Sequence, residues 1–417
     1  MSTAKNILLN DAKAIYEYAI GECMPKRSVE NALASFEMPK GKLILVSIGK
    51  AGWEMANSAH EILGDKIDSG IVITKYEHSK GKIGKLEIYE ASHPVVDKAG
   101  IDATKRALEM TENLSKDDTV LFLISGGGSA LFEDVSCPLE KMQSLTHALL
   151  KSGASINEMN AIRKHISNVK GGKFANHIYP ASVYAVALSD VIGDDLSTIA
   201  SGPACPDTTT VEWCLEILEK YGISLDEEML SLIKRETPKE IKNAHHIISG
   251  SVRELCNYAM EKAEELGYNA VVKDSEVQSD CTDMANLFTM LANTDKNAKA
   301  PIAYIYGGEI TLQVKGNGKG GRNQELALRV AKEIEGFSNV AIFCVGSDGT
   351  DGPTDAAGGY ADGYSWRAIY ENGGDSVVLL ENNDSYNALR LCDGLIHTGP
   401  TGTNVNDMYI LLIKPQA

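Results

Sequence analysis

The run Ser125-Gly126-Gly127-Gly128-Ser129 contains the residue types that suit anion binding. It follows the apolar segment Val120–Ile124, which predicts a buried strand. Three successive glycines leave the backbone uncovered, so its N–H groups can turn towards a ligand, and such groups ahead of a helix bind phosphate without a side chain. A flexible loop is the alternative, but a glycine turn directly after a buried strand is typical of ligand sites in open α/β sheets. The pattern indicates an anion or phosphate and no particular reaction.

A second glycine turn, Gly49-Lys50-Ala51-Gly52, follows the apolar strand segment Leu43–Ile48. It matches neither the GxxxxGK[ST] phosphate loop nor the GxGxxG dinucleotide fingerprint. Lys50 would lie at the carboxyl end of the strand. There a phosphate- or carboxylate-facing role is favoured over the alternative of a solvated surface lysine.

Three further polar residues follow predicted strands. Asp190 comes directly after Val183–Leu188, where a general base or a magnesium ligand is commonly placed. His93 precedes a proline, which restricts its backbone, and it is either a ligand donor or a turn histidine. Ser201 is either a donor to a ligand oxygen or a residue that stabilises its turn. Asp194 and Asp195 are interpreted as turn residues.

Basic residues cluster in one segment of an otherwise acidic chain, whose formal net charge is −17. A solvated basic face is one explanation of the cluster. In so acidic a protein we favour a positive field directed at an anion. The residues are Arg163, Lys164, His165, Lys170 and Lys173.

A glycine-rich segment, residues 316–321, precedes Arg322 and a predicted amphipathic helix that also contains Asn323. An alternating segment before it, Leu312–Lys315, predicts an edge strand. Because a strand and a helix bracket the glycines, we expect a binding loop rather than a linker. The guanidinium of Arg322 can bind carboxylate or phosphate oxygens with two nitrogens.

Three aspartates, Asp348, Asp351 and Asp355, lie among glycines after the predicted strand Ala341–Val345. The closing glutamate of an EF-hand loop is missing. The aspartates are interpreted as ligands of magnesium or of substrate hydroxyls, with a hydrogen-bonded turn as the alternative.

Length and composition limit the class of protein. A chain of 417 residues with 38 glycines fits an α/β enzyme of about two or three domains. The net charge of −17 argues against nucleic acid as a main partner and favours a divalent cation at any polyanion site. The eight cysteines form no CxxC pair, and no apolar run approaches the roughly 20 residues of a membrane span. Reduced thiols, no membrane association and a cytoplasmic location are therefore expected.

Alternating strand and helix patterns predict a doubly wound parallel sheet in the first half, residues 1–240. A second α/β domain, residues 241–417, restarts with a strand at His246–Ser249. Glycine turns, cations and aspartates in both halves favour a ligand cleft. Phosphoryl transfer needs this set of groups.

The chain also resembles the MOFRL-type glycerate 2-kinase family. The resemblance extends over almost the whole length, in family order. Its motifs are SIGKAG at Lys50, SHPVVD at His93, SGGGSAL at Ser125, SDVIGDD at Asp190, IASGP at Ser201, GGRNQE at Arg322, GSDGTDGPTDAAGG at Gly346 and TGPTGTNVND near the C-terminus.

The resemblance implies ATP- and Mg²⁺-dependent phosphorylation of D-glycerate on its 2-hydroxyl. It also implies a Rossmann-like N-terminal domain and a smaller C-terminal α/β domain with a mixed sheet, with Lys50 and Arg322 facing each other across a cleft. We expect a monomer or homodimer.

On this hypothesis the Ser125–Ser129 amides bind the ATP phosphates. Lys50, Asp190 and Arg322 are catalytic, and Asp190 and Asp348 are the candidate Mg²⁺ ligands. The candidate substrate ligands are His93, Ser201, Asn323 and Asp351. Two alternatives are a nicotinamide-dependent hydroxypyruvate reductase, which would need a GxGxxG turn with a ribose-binding acid after a strand, and a sugar-phosphate-binding regulator.

Overall fold

The computed structural model describes residues 3–416, and it forms two compact units. The N-terminal unit is Pro25–Ser249, and the C-terminal unit combines Met1–Met24 with Gly250–Ala417. This division differs from the predicted boundary at residue 240, because the first helix packs in the C-terminal unit. There the Tyr16 ring lies 6.1 Å from the Phe343 ring, and Asp11 forms an ion pair with Lys414 at 2.8 Å.

Helices are interspersed among the strands along the chain. In the first 249 residues they are α1 (Thr3–Glu22), α2 (Pro25–Leu33), β1 (Leu43–Ile48), α3 (Gly52–Leu63), β2 (Ser69–Lys75), β3 (Glu87–Ala91), α4 (Lys98–Met110), β4 (Thr119–Ile124), α5 (Gly128–Leu131), α6 (Leu139–Ser152), α7 (Ile156–Ile166), α8 (Lys173–Ile178), β5 (Ser182–Ala187), α9 (Val211–Lys220), α10 (Glu227–Ile233) and β6 (Ala244–Ile248).

The remaining elements belong to the C-terminal unit. They are α11 (Val252–Glu265), β7 (Asn269–Val277), α12 (Cys281–Asp295), β8 (Ile302–Gly308), α13 (Arg322–Glu333), β9 (Val340–Gly346), β10 (Gly358–Asp362), α14 (Ser365–Glu371), α15 (Ser376–Glu381), α16 (Ser385–Leu391), β11 (Leu395–Ile396) and β12 (Asp407–Ile413).

The N-terminal unit contains a six-stranded sheet in the order β3-β2-β1-β4-β5-β6, and every neighbouring pair is parallel. All six residues of β1 are buried, as expected for a parallel strand covered on both faces. The strand order reverses between β1 and β4, and ligands of such sheets bind beyond the carboxyl ends of the strands at that reversal. The predicted Rossmann-like, doubly wound sheet is confirmed. The strand expected to open the second domain is β6, which pairs with β5 in this sheet.

The C-terminal unit contains a mixed sheet in the order β11-β10-β9-β12-β8-β7. Strand β12 lies antiparallel between β8 and β9, whereas β7 and β8 are parallel. The predicted mixed sheet is therefore confirmed. The predicted edge strand Leu312–Lys315 is wrong: the segment has no strand, and the Lys315 N–H donates instead to the Asn383 side chain at 2.8 Å.

The eight cysteines all lie in the described part of the chain and form no disulfide, and seven of them are buried. This agrees with the prediction of reduced thiols. Across residues 3–416, no helix is long and apolar enough to cross a membrane.

Candidate active site

The glycine turns that follow β1 and β4 are joined by hydrogen bonds. The Lys50 N–H donates to the Gly126 carbonyl at 2.8 Å. The Ser125 hydroxyl donates to the Ile48 carbonyl at 3.1 Å and accepts from the Ala51 N–H at 3.1 Å. The two turns therefore form one backbone unit at the point where the strand order reverses.

Three of the predicted site residues surround the glycine run. A Cβ atom added to Gly127 would lie 3.1 Å from His93 Cδ2 and 3.2 Å from Lys50 Cγ. A Cβ added to Gly126 would lie 2.3 Å from Asp190 Oδ2. The space that these glycines leave open is thus bordered by a cation, an imidazole and a carboxylate. Burial, followed by the charge of Lys50, lowers the pKa of His93, so its ring is neutral at pH 7.

Ser129 and Ser201 lie in contact, with their hydroxyl oxygens 3.1 Å apart. The Ser201 hydroxyl also donates to Asn160 Oδ1 at 3.2 Å, and its side chain is fully buried. The observed role of Ser201 is to hold its turn against the glycine run. Its role as a substrate ligand stays a prediction. Asp195 accepts from Ser197 and Thr198, as expected of a turn residue.

The basic cluster does not form a field directed at a ligand, because four of its five members are partnered inside the unit. Lys164 pairs with Asp207 at 3.2 Å, and Lys170 pairs with Glu133 at 3.0 Å, all four side chains being nearly or fully buried. Lys173 donates to the last carbonyls of α7, and His165 contacts the Ile233 carbonyl. The sequence-based interpretation is wrong for these four. Arg163 alone contacts the glycine turn, through the Ser129 carbonyl at 2.8 Å.

In the C-terminal unit, Arg322 begins α13 and is held by two carboxylates. Its Nε donates to Asp407 Oδ2 at 2.7 Å, and another nitrogen donates to Glu309 at 2.5 Å. Asp407 is buried, and this burial raises its pKa to about 6 despite the opposing charge of Arg322. The guanidinium is thus oriented by a buried partner while about a third of the side chain stays exposed.

Asp351 caps the N-terminus of α13. Its two carboxylate oxygens accept from the backbone N–H groups of Asn323 and Gln324, at 3.1 and 2.9 Å. Gly321 allows this approach, because a Cβ there would lie 2.2 Å from Asp351 Cγ. Burial raises the pKa of Asp351. The carboxylate positions the helix that carries Arg322 and Asn323, and the roles of Asp351 and Asn323 as substrate ligands stay predictions.

The glycine-rich segment before α13 is held by the residues ahead of α16. Asn383 Oδ1 accepts from the N–H groups of Lys315 and Gly316, and Asp384 Oδ1 accepts from Lys319. A Cβ on Gly316 would lie 2.2 Å from the Asn382 carbonyl oxygen. This close backbone approach leaves no room for a side chain at residue 316. The hydrogen bonds hold the segment as an anchored loop.

Comparison with known proteins identifies the family. Residues 11–234 match a domain of unknown function, DUF4147, and residues 302–407 match the MOFRL family. The chain is 49% identical over 407 residues to the D-glycerate 2-kinase of Thermotoga maritima. These aligned residues cover 96% of this chain and 97% of the relative. The chain belongs to the MOFRL-type glycerate 2-kinase family.

The fold agrees with that membership. The crystal structure of the Thermotoga maritima glycerate kinase superposes with a TM-score of 0.93 at 47% identity, over 97% of this chain and 99% of that one. A glycerate 2-kinase of Pyrococcus horikoshii is 38% identical over 95% of both chains. A relative from Agrobacterium vitis, 35% identical over 96% of this chain and 93% of its own length, is named a putative hydroxypyruvate reductase. The Thermotoga maritima and Pyrococcus horikoshii kinases are thus more similar to this chain than the Agrobacterium vitis relative is.

The two residues predicted to bind magnesium lie in different units. Asp190 borders Gly126, whereas Asp348 Oδ1 accepts from the Thr350 N–H and hydroxyl at 2.9 and 3.0 Å. Within the described residues, no group of three or more His, Cys, Asp or Glu side chains is arranged to hold a metal ion. Magnesium commonly takes only one or two carboxylates and completes its shell with phosphate oxygens and water. Asp190, beside a phosphate-type turn, fits such a ligand.

Sequence reasoning gave no role to the two carboxylates that hold Arg322. Glu309 directly follows β8, and Asp407 is the first residue of β12. Like Asp190, Glu309 and Asp407 lie at strand ends, and this position was the available signal of a functional carboxylate in the sequence. Their pairing with Arg322 depends on the antiparallel contact of β12 with β8, where Asp407 lies opposite Gly308. A pattern along the chain does not contain that register.

Proposed function

We infer that this chain is an ATP-dependent kinase that transfers the γ-phosphoryl group of ATP to the 2-hydroxyl of D-glycerate, giving 2-phosphoglycerate. The observation that carries this function is the 49% identity to a D-glycerate 2-kinase over 96% of this chain. Hydroxypyruvate reductase is less supported, because the relative so named is less similar than the D-glycerate 2-kinase and the GxGxxG match at residues 316–321 does not directly follow a strand.

The glycine run Ser125–Ser129 is our proposed binding site for the ATP phosphates. It follows β4 at the reversal of strand order, and its glycines leave room beside Lys50 and His93. Backbone N–H groups in such a turn bind phosphate oxygens without a side chain that would block their approach. A neutral His93 can donate one N–H to an oxygen at the same place.

Lys50 and Arg322 supply positive charge. Phosphoryl transfer spreads negative charge over the equatorial oxygens of the transferred group, and cations fixed in advance stabilise it. Lys50 neutralises charge at the glycine run. Arg322, oriented by Asp407, offers guanidinium N–H groups to carboxylate or phosphoryl oxygens.

In the reaction the 2-hydroxyl oxygen forms a bond to the γ-phosphorus, and the bond from that phosphorus to the bridging oxygen of ADP breaks. The hydroxyl proton leaves to a base or to solvent. Asp190 has two candidate roles: it accepts that proton, or it holds Mg²⁺. When bound, Mg²⁺ would neutralise charge on the ATP phosphates.

A magnesium titration separates the two roles of Asp190. If the carboxylate holds the ion, Asp190→Asn raises the Mg²⁺ concentration needed for half-maximal activity. If it accepts the proton, the variant loses kcat with an unchanged Mg²⁺ requirement.

A product assay tests the function itself. The purified protein is incubated with ATP, MgCl₂ and D-glycerate, and 2-phosphoglycerate is resolved from 3-phosphoglycerate by ³¹P NMR. The 2-isomer is expected, and exclusive formation of the 3-isomer would contradict the assignment. NADH oxidation with hydroxypyruvate tests the reductase, and ligand binding without turnover in either assay would favour a regulator.

We place the reaction in the cytoplasm, a proposal that the eight free cysteines support.

A further inference from the structure

Helix α7 contacts two turns of the N-terminal unit through residues one helical turn apart. Arg163 Nη2 donates to the Ser129 carbonyl at 2.8 Å, at the end of the glycine run. Asn160 Oδ1 accepts from the Ser201 hydroxyl at 3.2 Å, and that hydroxyl lies 3.1 Å from the hydroxyl of Ser129. The helix therefore fixes the glycine run and the Ser201 turn relative to each other.

The Ser201 turn has a strained backbone. Ala200 and Ser201 have φ values of +51° and +61°, in the left-handed region that residues with a Cβ seldom adopt. The turn also lies against the glycine run, since a Cβ on Gly128 would come 2.8 Å from Ala200 Cβ. Such strain persists only where surrounding contacts over-determine the conformation, and it concentrates at functional sites. Asn160 supplies one of those contacts.

Arg163 is partly buried, and the protein balances its charge incompletely. Its Nε is buried and has no acceptor among the residues that the structure describes. The carboxylate opposing it, Glu133, already pairs with Lys170 at 3.0 Å. Burial lowers the pKa of the Arg163 guanidinium. A partly buried cation without its own counter-ion is unfavourable, and an anion nearby would relieve that cost.

We propose that Arg163 and Asn160 are positioning residues for the anion held by the Ser125–Ser129 turn, and that the bound anion balances the partly buried charge of Arg163. Arg163 acts through the Ser129 carbonyl and through its electric field, and Asn160 acts through Ser201. The nature of the anion, an ATP phosphate, rests on the proposed function.

The test compares Arg163→Met and Arg163→Lys with Arg106→Met, which removes a partly exposed arginine paired with Glu87 in the same unit. We measure the affinity for a non-hydrolysable ATP analogue with Mg²⁺, the KM for each substrate, and the melting temperature with and without the analogue. Arg163→Met should weaken nucleotide affinity about tenfold or more, with little change in the KM for D-glycerate. The analogue raises the melting temperature of the wild type. Arg163→Met should reduce this rise by more degrees than it lowers the melting temperature of the free protein.

Three further variants, together with Arg163→Lys, sharpen the test. Arg163→Lys keeps the charge and should recover part of the affinity, and millimolar guanidinium should partly restore Arg163→Ala. Asn160→Ala should lower kcat more than Asn160→Asp, which keeps an acceptor for Ser201.

The proposal fails if Arg163→Met lowers the melting temperature of the free protein but leaves nucleotide affinity unchanged, because Arg163 would then be structural. Inorganic pyrophosphate separates this failure from a failure of the proposed function. If the wild-type protein binds pyrophosphate more tightly than Arg163→Met does, the anion site stands even where D-glycerate is not phosphorylated. Equal pyrophosphate binding by the wild type and Arg163→Met would overturn the proposal.

Discussion

Arg322 donates from Nε to Asp407 Oδ2 across 2.7 Å, and the Asp407 side chain is only 6% exposed. Burial raises the pKa of Asp407 to about 6, which brings its titration close to neutral pH. Protonation would remove the negative charge that orients the guanidinium. The position of Arg322 should therefore depend on pH.

Activity should fall as pH decreases through about 6, because protonated Asp407 no longer holds Arg322 by an ion pair. Asp407→Asn should be less active at pH 7 and should lack this inflection. The measurement is kcat/KM for D-glycerate from pH 5 to pH 8 at saturating ATP. An unchanged inflection in Asp407→Asn would assign the titration to another group.

Stability should show the opposite trend at this position. The folded pKa of Asp407 lies above its ordinary value of 3.8, so the native state binds the proton more tightly than the unfolded chain does. Its contribution to the free energy of unfolding is therefore present below pH about 4 and is lost as pH rises to about 6. The change is on the order of 3 kcal/mol. Urea unfolding of the wild type and Asp407→Asn at several pH values measures it, and parallel pH curves would contradict it.

Lys50→Ala should lower kcat at least about a hundredfold, as expected when a cation that stabilises transition-state charge is removed. Lys50→Arg should retain part of the activity because it keeps the charge. Lys98→Ala is the matched control, since that lysine is 83% exposed and pairs with Asp102, a neighbouring residue on α4. A near-normal kcat in Lys50→Ala would remove Lys50 from the mechanism.

Gly127→Ala tests whether the bare backbone of the glycine run is needed. Gly127 has a φ of +87°, and an added Cβ would contact His93 and Lys50. Gly153, which ends α6, has a φ of +78° but no neighbour within 4 Å of such a Cβ. Both alanines should destabilise the fold by about 1 kcal/mol through strain. Only Gly127→Ala should also lower kcat/KM for ATP, by about tenfold or more, and equal kinetics in both variants would contradict the proposed phosphate site.

The strand-end residues were predictable from sequence because strand pattern and position agree there. An apolar run followed by glycines places Lys50 and Gly126 at the same edge of a parallel sheet, and the structure joins them through one backbone hydrogen bond. The same reasoning placed Asp190 at the end of its strand, and the structure brings it beside Gly126. Glycines in these turns allow close approach of the two backbones, and the glycines themselves can be read directly from the sequence.

Partners distant in sequence were less predictable. The pairing of Lys164 with Asp207, 43 residues apart, depends on packing, and a cluster of cations along the chain does not reveal it. The segment Leu312–Lys315 alternates like a strand, but Asn383 takes its backbone N–H instead. In both cases tertiary contacts outweighed the local pattern.

The buried pair of Lys164 and Asp207 provides a test of the structural role of the basic cluster. Their side chains are 6% and 0% exposed, so Asp207→Ala leaves an unpaired buried cation and should destabilise the protein by about 3–5 kcal/mol. The exposed pair of Arg253 and Glu276 is the control, and Glu276→Ala should cost less than about 1 kcal/mol. Chemical unfolding measures both, and kcat at a temperature where Asp207→Ala stays folded should remain near that of the wild type. A loss of nucleotide affinity without a loss of stability would instead restore the view that these cations act on a ligand.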